Sequence, residues 1–235
     1  MADPSFIVCV CCSAAEGFHE HQILWPSLVA EWGLGPEEAA LINRQQGLCC
    51  RICSSNLRTM ALARVIMNRY GFRAGHFIDF VRSPRLKERP LSVLEINEAG
   101  MLTPFLRYMP KHTLVRYPES DMQALDFPDE HFDLVVHSDT LEHVPDPVKG
   151  LSECRRVLRP GGSCAYTVPL VAGRLSRRRD GLPPSYHGGA PGEQAPLVHT
   201  EYGADAWAQP FAAGFSELRM VSLEHPAAQA FLAVR

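Results

Sequence analysis

Leu125-Asp126-Phe127-Pro128-Asp129-Glu130-His131-Phe132-Asp133-Leu134-Val135-Val136-His137-Ser138-Asp139-Thr140-Leu141-Glu142-His143-Val144 is the part of the chain from which the architecture can be read. Its centre, Phe132 to His137, is a short apolar run between turn residues, the pattern of a strand covered on both faces. Downstream, Asp146-Pro147 supplies a capping carboxylate and a first-turn proline, and Val148, Leu151 and Leu158 then share one helical face. Arg159-Pro160-Gly161-Gly162 stops that helix, and Ser163 to Val168 is a further strand ended by Pro169. Strand, helix and strand in this order describe a parallel pair joined by a crossover helix.

The alternation extends in both directions. Leu91 to Ile96 reads as the first strand, a short helix around Leu102 to Tyr108 follows, and Thr113 to Tyr117 reads as a second, weaker strand. The chain between Glu95 and Asp121 is short for two strands and two helices, so one crossover unit is expected to be trimmed or merged. Leu170 to Thr200 is rich in Gly, Pro, Arg and His without a clear period, which suggests an irregular insertion acting as a lid. A helix near Ala204 to Ala213 and strands at Glu217 to Leu223 and Gln229 to Val234 complete the chain. The implied division is a cysteine-rich helical segment over 1–72, a connector over 73–90 and an α/β domain over 91–235 with its insertion at about 170–200. Within the first segment, Pro36 to Gln46 and Leu57 to Tyr70 are predicted helices, the second capped from Ser54-Ser55-Asn56.

The block from Leu125 to Val144 resembles the "LPF-D-x-x-FD-x-V…LEHV" motif of class I S-adenosylmethionine-dependent methyltransferases of the kind found in quinone biosynthesis. Glu153-Cys154-Arg155-Arg156-Val157-Leu158-Arg159-Pro160-Gly161-Gly162 continues the resemblance as that family's "E-x-x-RVL+PGG" helix and turn. The likeness covers roughly Leu91 to Pro169. It implies a Rossmann-like sheet with helices on both faces, S-adenosylmethionine as cofactor, and methyl transfer to a small-molecule or sugar-like acceptor.

In an open parallel sheet, ligands lie outside the carboxyl ends of the strands at the switch point. Glu95, Asn97 and Gly100 after the first strand, Glu119, Asp121 and Met122 after the second, and His137, Ser138 and Asp139 ending the third then face one crevice. A nucleoside needs a carboxylate for its ribose and a polar partner for adenine, for which Glu119 and Asp121 are candidates. By family position Asp121 and Met122 sit at the adenine and Glu95 near the methionine end. The family's D-x-G-x-G loop is represented only by Glu95-Ile96-Asn97-Glu98-Ala99-Gly100, with a single glycine. A strand-end acid also serves as a loop residue or helix cap, and only the shared edge favours a ligand role.

Methyl transfer is an in-line displacement needing a base only if the acceptor must lose a proton. His143 and His199 are the candidate bases, and Tyr186, His187 and Tyr202 candidate acceptor-pocket residues; a structural hydrogen bond for His143, and simple lid packing for the others, are equal alternatives. Val198-His199-Thr200-Glu201-Tyr202 resembles the "D-H-x-R-x-Y" segment after the fifth strand in zinc-bearing members of the superfamily.

Of eight cysteines, Cys9, Cys11, Cys12, Cys49, Cys50 and Cys53 crowd into the first segment. Cys9 with Cys12 and Cys50 with Cys53 form two C-x-x-C knuckles, suited to a closed tetrahedral zinc site, while Cys11 or Cys49 could substitute as ligands. The pattern resembles a "C-x-x-C…C-x-x-C-S-x-x-R" element preceding some bacterial methyltransferase cores, with Ser54 and Arg58 roughly matching. Cys154 and Cys164 read as core residues.

The charge of −3, from 23 basic and 26 acidic residues, disfavours nucleic acid as a general partner, leaving Arg177-Arg178-Arg179 as a local basic run. No apolar segment approaches the roughly 20 residues needed to span a bilayer, and the Met-Ala-Asp-Pro-Ser start lacks secretory features, so a cytoplasmic location without membrane insertion is expected. Two further readings compete with the enzyme: a non-catalytic binding or scaffold protein on a degenerate methyltransferase fold, and a zinc-dependent nucleic-acid or protein recognition module.

Overall fold

The computed structural model describes residues 8–188 and 195–235. Strands β1 (Phe18–Glu20) and β2 (Leu48–Cys50) form an antiparallel pair, with α1 (Pro26–Glu31) and α2 (Pro36–Gly47) between them in the chain. Proline and two acids open α2, and Glu38 reaches back to accept from the Gly35 amide at 2.8 Å. Asn56 caps α3 (Leu57–Arg69), its Oδ1 accepting from the Thr59 amide at 2.9 Å. The 73–90 stretch holds two short helices, α4 (Phe77–Val81) and α5 (Pro84–Glu88).

The main sheet follows. Its elements are β3 (Ser92–Ile96), α6 (Thr103–Leu106), β4 (Lys111–Val115), β5 (Phe132–Ser138), α7 (Pro147–Val157) and β6 (Leu158–Thr167). The insertion contributes β7 (Leu170–Val171), β8 (Arg177–Arg178) and β9 (Thr200–Gly203), and α8 (Ala208–Ala212), β10 (Glu217–Leu223) and β11 (Ala228–Val234) end the chain. The six-stranded order is β10-β11-β6-β5-β3-β4. From β4 to β6 neighbours are parallel, and β11 runs antiparallel to both β6 and β10. This is the Rossmann-like sheet, with helices on both faces, expected from the sequence.

Side chains alternate between two cores, as a strand period of two requires. Val93, Leu134, Val136, Ala165 and Leu232 join the core built with α3, whereas Leu94, Val135, Cys164, Tyr166 and Phe231 join the one built with α7. Helix α3 is therefore one of the covering layers of the sheet, packing on β6, β10 and β11, although it lies in the cysteine-bearing part of the sequence. Cys154 and Cys164 are fully buried under α7.

Three local differences from the sequence reading have simple causes. The second strand is Lys111–Val115, two residues earlier than expected, because its register is fixed by parallel pairing with Ser92 to Ile96. Strand β6 begins at Leu158, since Leu158 already pairs with Phe132 before the ladder slips and resumes at Leu134 with Ser163. The final helix shrinks to Ala208–Ala212. The trimmed crossover is visible too: β4 is an edge strand, and no named strand or helix occupies 116–131 before β5.

Sheet polarity fixes the crevice. From β3 the chain moves outward to β4, then returns to place β5 on the other side of β3, making the gap between the carboxyl ends of β3 and β5 the switch point. The insertion covers this end as a three-stranded sheet ordered β7-β9-β8. Its strands are too short to impose a period on the sequence. Val171 and Val198 pack with Leu28, Trp32 and Ile42 of the α1–α2 region. Arg174 pairs with Glu38 and donates to the Trp32 carbonyl at 2.9 Å, and the Trp32 indole donates to Ser185 Oγ at 2.9 Å. Among the described residues, no helix is long and apolar enough to cross a membrane.

The lid is packed to backbone contact at Gly203, where a Cβ would lie 2.3 Å from the Arg174 carbonyl oxygen. Gly203→Ala is expected to destabilise the fold by about 1–3 kcal/mol, read as a lower midpoint in urea unfolding.

Candidate active site

At the end of β3 the carboxylate of Glu95 is fully buried and saturated by the protein. Oε1 accepts from the Ala99 amide at 2.8 Å and the Thr103 hydroxyl at 2.5 Å, and Oε2 lies 2.6 Å from His112 Nε2. These bonds hold the loop after β3, the start of α6 and the neighbouring strand β4 in one arrangement. A buried carboxylate satisfied this completely is a positioning group, and removing its partners costs about 3–5 kcal/mol.

Asn97 takes the left-handed conformation at φ 55°, as does Gly100 at φ 54°. Asparagine tolerates that region better than other residues bearing a Cβ, so the loop turns sharply with one glycine. The Asn97 side chain accepts from the Tyr117 amide at 3.0 Å and donates to Thr140 Oγ1 at 3.4 Å, spanning the ends of β3, β4 and β5.

Past β5, Asp139 also turns left-handed, at φ 49°, and pairs with Arg58 from α3. Arg58 is 4% exposed, so its guanidinium lies inside the protein, while the Asp139 side chain is half-buried. Behind it, His137 is fully buried and stacks on Tyr166 with ring centroids 5.0 Å apart, while Ser138 Oγ bonds Thr167 Oγ1 at 2.7 Å. The short 3-10 turn Leu141–His143 then presents Glu142, 1% exposed, with neither carboxyl oxygen hydrogen-bonded to any described residue. Burial, with the like charge of Asp139 adding to it, pushes the Glu142 carboxyl well above its usual range. Arg58 Nη1 and Asp139 Oδ1 are likewise buried without a partner.

The insertion closes this region. His143 Nδ1 lies 3.0 Å from the Leu197 carbonyl, and the His199 amide donates to the Glu142 carbonyl at 2.7 Å. His187 lies beside His143, ring centroids 5.1 Å apart, with Trp32 edge-on to it at 5.2 Å. Burial, reinforced by His143 and Arg58, pushes the His187 imidazole down to about 4, and burial lowers that of His143 as well.

Of the residues expected from the sequence, Asn97, Gly100, Asp139, His143 and His187 thus lie around the carboxyl ends of β3 and β5. Glu119 is exposed, and Asp121 is engaged by the Gln123 amide at 2.8 Å. Met122 is buried against the Gly150 turn of α7, and Tyr186 is solvent-facing. Tyr202 is 2% exposed, and its hydroxyl donates to Gln209 at 2.8 Å. His199 is half-buried, its imidazole lowered mainly by burial. Two groups central to the cluster escaped sequence reasoning as site residues: Glu142, although it stands inside LEHV next to His143, and Arg58, the arginine following the second cysteine knuckle. Each arginine of the basic run is paired with an acid, Arg177 and Arg179 with Glu201, Arg179 also with Glu31, and Arg178 with Asp180.

The thiols of Cys9, Cys12, Cys50 and Cys53 converge, with Cys9 Sγ 3.6 Å from Cys53 Sγ, Cys12 Sγ 3.7 Å from Cys50 Sγ, and all four within 4.8 Å of one another. Cys11 and Cys49 stand outside the group. Amides of α4 anchor the first knuckle, Phe77 donating to the Val10 carbonyl at 2.8 Å and Ile78 to that of Cys11 at 2.9 Å.

Residues 87–166 match the family model described as a methyltransferase domain. A "probable S-adenosylmethionine-dependent methyltransferase" of Mycolicibacterium smegmatis is 40% identical over 63 residues, 25% of this chain and 24% of that protein. A demethylmenaquinone methyltransferase of Clavibacter sepedonicus is 39% identical over 75 residues, 31% of each chain. The chain thus matches only a quarter to a third of the length of these relatives. A solved S-adenosylmethionine-dependent methyltransferase from Aquifex aeolicus overlays with a TM-score of 0.39 at 17% identity, covering 67% of this chain and 95% of the other. The matched segment runs from before β3 to the penultimate residue of β6 and includes both sides of the switch point, so over these residues the chain is similar to a methyltransferase domain.

Proposed function

We propose that the protein transfers a methyl group from S-adenosylmethionine to a small-molecule acceptor held beneath the insertion. The observation that carries this reading is a set of buried polar atoms at the carboxyl ends of β3 and β5 that have no partner among the described residues: Arg58 Nη1, Asp139 Oδ1 and both oxygens of Glu142. Buried polar groups are costly unless satisfied, so this donor and acceptor set favours a polar ligand. A free guanidinium edge suits the cofactor's carboxylate, and Asp139 beside it suits the ammonium. Glu119, free at the surface after β4, remains the residue offered to the ribose. When bound, the cofactor supplies an electrophilic methyl group on a sulfonium sulfur.

The chain's own contribution is placement and exclusion of water. Glu95 fixes the loop against which the cofactor would lie, and the Arg58–Asp139 pair fixes the opposite wall. The lid, pinned by Arg174 and Trp32, brings His187 and His199 over the same edge as His143. His143 donates through Nδ1 to the Leu197 carbonyl, which leaves Nε2 as the unprotonated ring nitrogen. The similarity to a demethylmenaquinone methyltransferase supports a small-molecule acceptor.

Calorimetric titration with S-adenosylhomocysteine or S-adenosylmethionine tests the reading. Binding at micromolar concentrations is expected, and Arg58→Met should weaken it about tenfold to a hundredfold, the worth of a charged hydrogen bond at roughly 1.5–3 kcal/mol. Failure to bind at millimolar cofactor would favour the non-catalytic scaffold.

We further infer that Cys9, Cys12, Cys50 and Cys53 hold a structural zinc ion. Ligands at about 2.3 Å in a tetrahedron place sulfurs about 3.8 Å apart, close to the observed 3.6 and 3.7 Å. Burial pushes the metal-free Cys12 thiol up to about 11, so a cation is needed to draw thiolates into this site. Elemental analysis should find one zinc in this site per chain, lost in Cys50→Ser together with a lower melting temperature. Retention of that zinc in Cys50→Ser would refute the assignment.

A further inference from the structure

We propose that Glu142, His143 and His187 form a second metal site, of the open kind that binds a divalent transition-metal ion and leaves positions for an acceptor oxygen. The three residues offer one ligand atom each, all within 4.8 Å of one another. The two histidine rings are held by contacts with the insertion and with Trp32.

His143 Nδ1 faces a backbone carbonyl, which can only accept, so Nδ1 carries the proton and Nε2 presents a lone pair. That lone pair lies 3.6 Å from Glu142 Oε1, too far for a hydrogen bond. The two side chains therefore point at one another across a gap that no hydrogen bond closes. Ligands about 2.1 Å from a common ion in a tetrahedron would stand about 3.4 Å apart, near the separation seen. Among the described residues Glu142 has no hydrogen-bond partner for either oxygen, and His187 Nδ1 is also buried without one. Donation of the second ring N–H to a backbone carbonyl is the usual way a protein fixes the tautomer of a ligating histidine. Trp32 packs edge-on against His187 and limits its ring orientation.

Two imidazoles and one carboxylate suit zinc, manganese or ferrous iron and leave the coordination sphere incomplete. The cysteine cluster, by contrast, is closed by four thiols. The catalytic meaning of the open site rests on the methyl-transfer reading. A hydroxyl of the acceptor bound to the ion loses its proton to solvent, because the cation stabilises the alkoxide or phenolate. The oxygen lone pair then forms the new O–C bond as the methyl carbon–sulfur bond breaks, its electron pair remaining on sulfur as the neutral thioether. The acceptor class that follows is a hydroxylated small molecule.

Manganese, which prefers oxygen and nitrogen ligands and leaves thiolate-bound zinc in place, is the probe. The full chain, purified with its cysteine metal, is titrated with Mn2+ and free ion is followed by electron paramagnetic resonance. One bound ion per chain is expected, weakened at least tenfold by Glu142→Gln and separately by His187→Gln. The His19→Gln variant, which alters the other cluster of His19, His21 and Cys49, should leave it unchanged. Circular dichroism shows which variants fold, and His187→Gln, at a lid position, carries the test if Glu142→Gln does not. Absence of binding at millimolar Mn2+, indifference to both site variants, or loss in His19→Gln overturns the proposal. S-adenosylhomocysteine titration of the same samples separates the two readings: cofactor binding without Mn2+ binding defeats only the metal site, and Mn2+ binding without cofactor binding supports it while defeating methyl transfer.

Discussion

A buried guanidinium must be paired, and the pairing of Arg58 with Asp139 ties the two ends of this molecule's design together. Arg58 sits in the first turn of α3, a few residues past the second cysteine knuckle, whereas Asp139 directly follows the central strand β5. An uncompensated charge at that depth would cost several kcal/mol, so α3 can dock on the sheet only with its first turn aimed at the crevice. The cysteine cluster thereby becomes part of the site's support. It fixes the start of α3, and α3 in turn covers one sheet face and delivers a charged group to the switch point.

Glu95 plays the complementary role on the other side of the crevice. Its three partners come from the following loop, from α6 and from β4, so the short first crossover is held by side-chain bonds where a full glycine-rich turn is missing. Asn97 accepts the left-handed conformation that the turn demands and bridges the neighbouring strand ends. The crevice is thus rigid on both walls, and its polar surplus is concentrated at Glu142, His143 and His187 under the lid.

Much of this was legible in the chain. The apolar run Phe132 to His137 and the Asp146-Pro147 cap announced a strand and helix because those patterns arise from burial and local hydrogen bonding. Pro36 and Asn56 likewise marked the helix starts found in α2 and α3. The four converging cysteines were named from their spacing, while the choice against Cys11 and Cys49 required coordinates. The lid was recognisable only as an aperiodic stretch: β7, β8 and β9 are two to four residues long, and their hydrogen bonds join segments more than twenty residues apart. Tyr202 illustrates the limit at single residues. Its motif placed it near the acceptor, but its ring is core and its hydroxyl is used by Gln209.

The sequence by itself determined the element types, the parallel sheet, the edge at which polar residues gather and the two cysteine knuckles, because periodicity, capping and ligand spacing act over a few residues. Tertiary structure decided which polar atoms at that edge are already satisfied and which are not. Glu95 and Glu142 are both acids in methyltransferase motifs, yet one is saturated by three neighbours and the other has none. That difference depends on an α6 hydroxyl, a β4 histidine and a lid folded back across the site, and hydrogen bonds between distant segments leave no periodic trace in the chain.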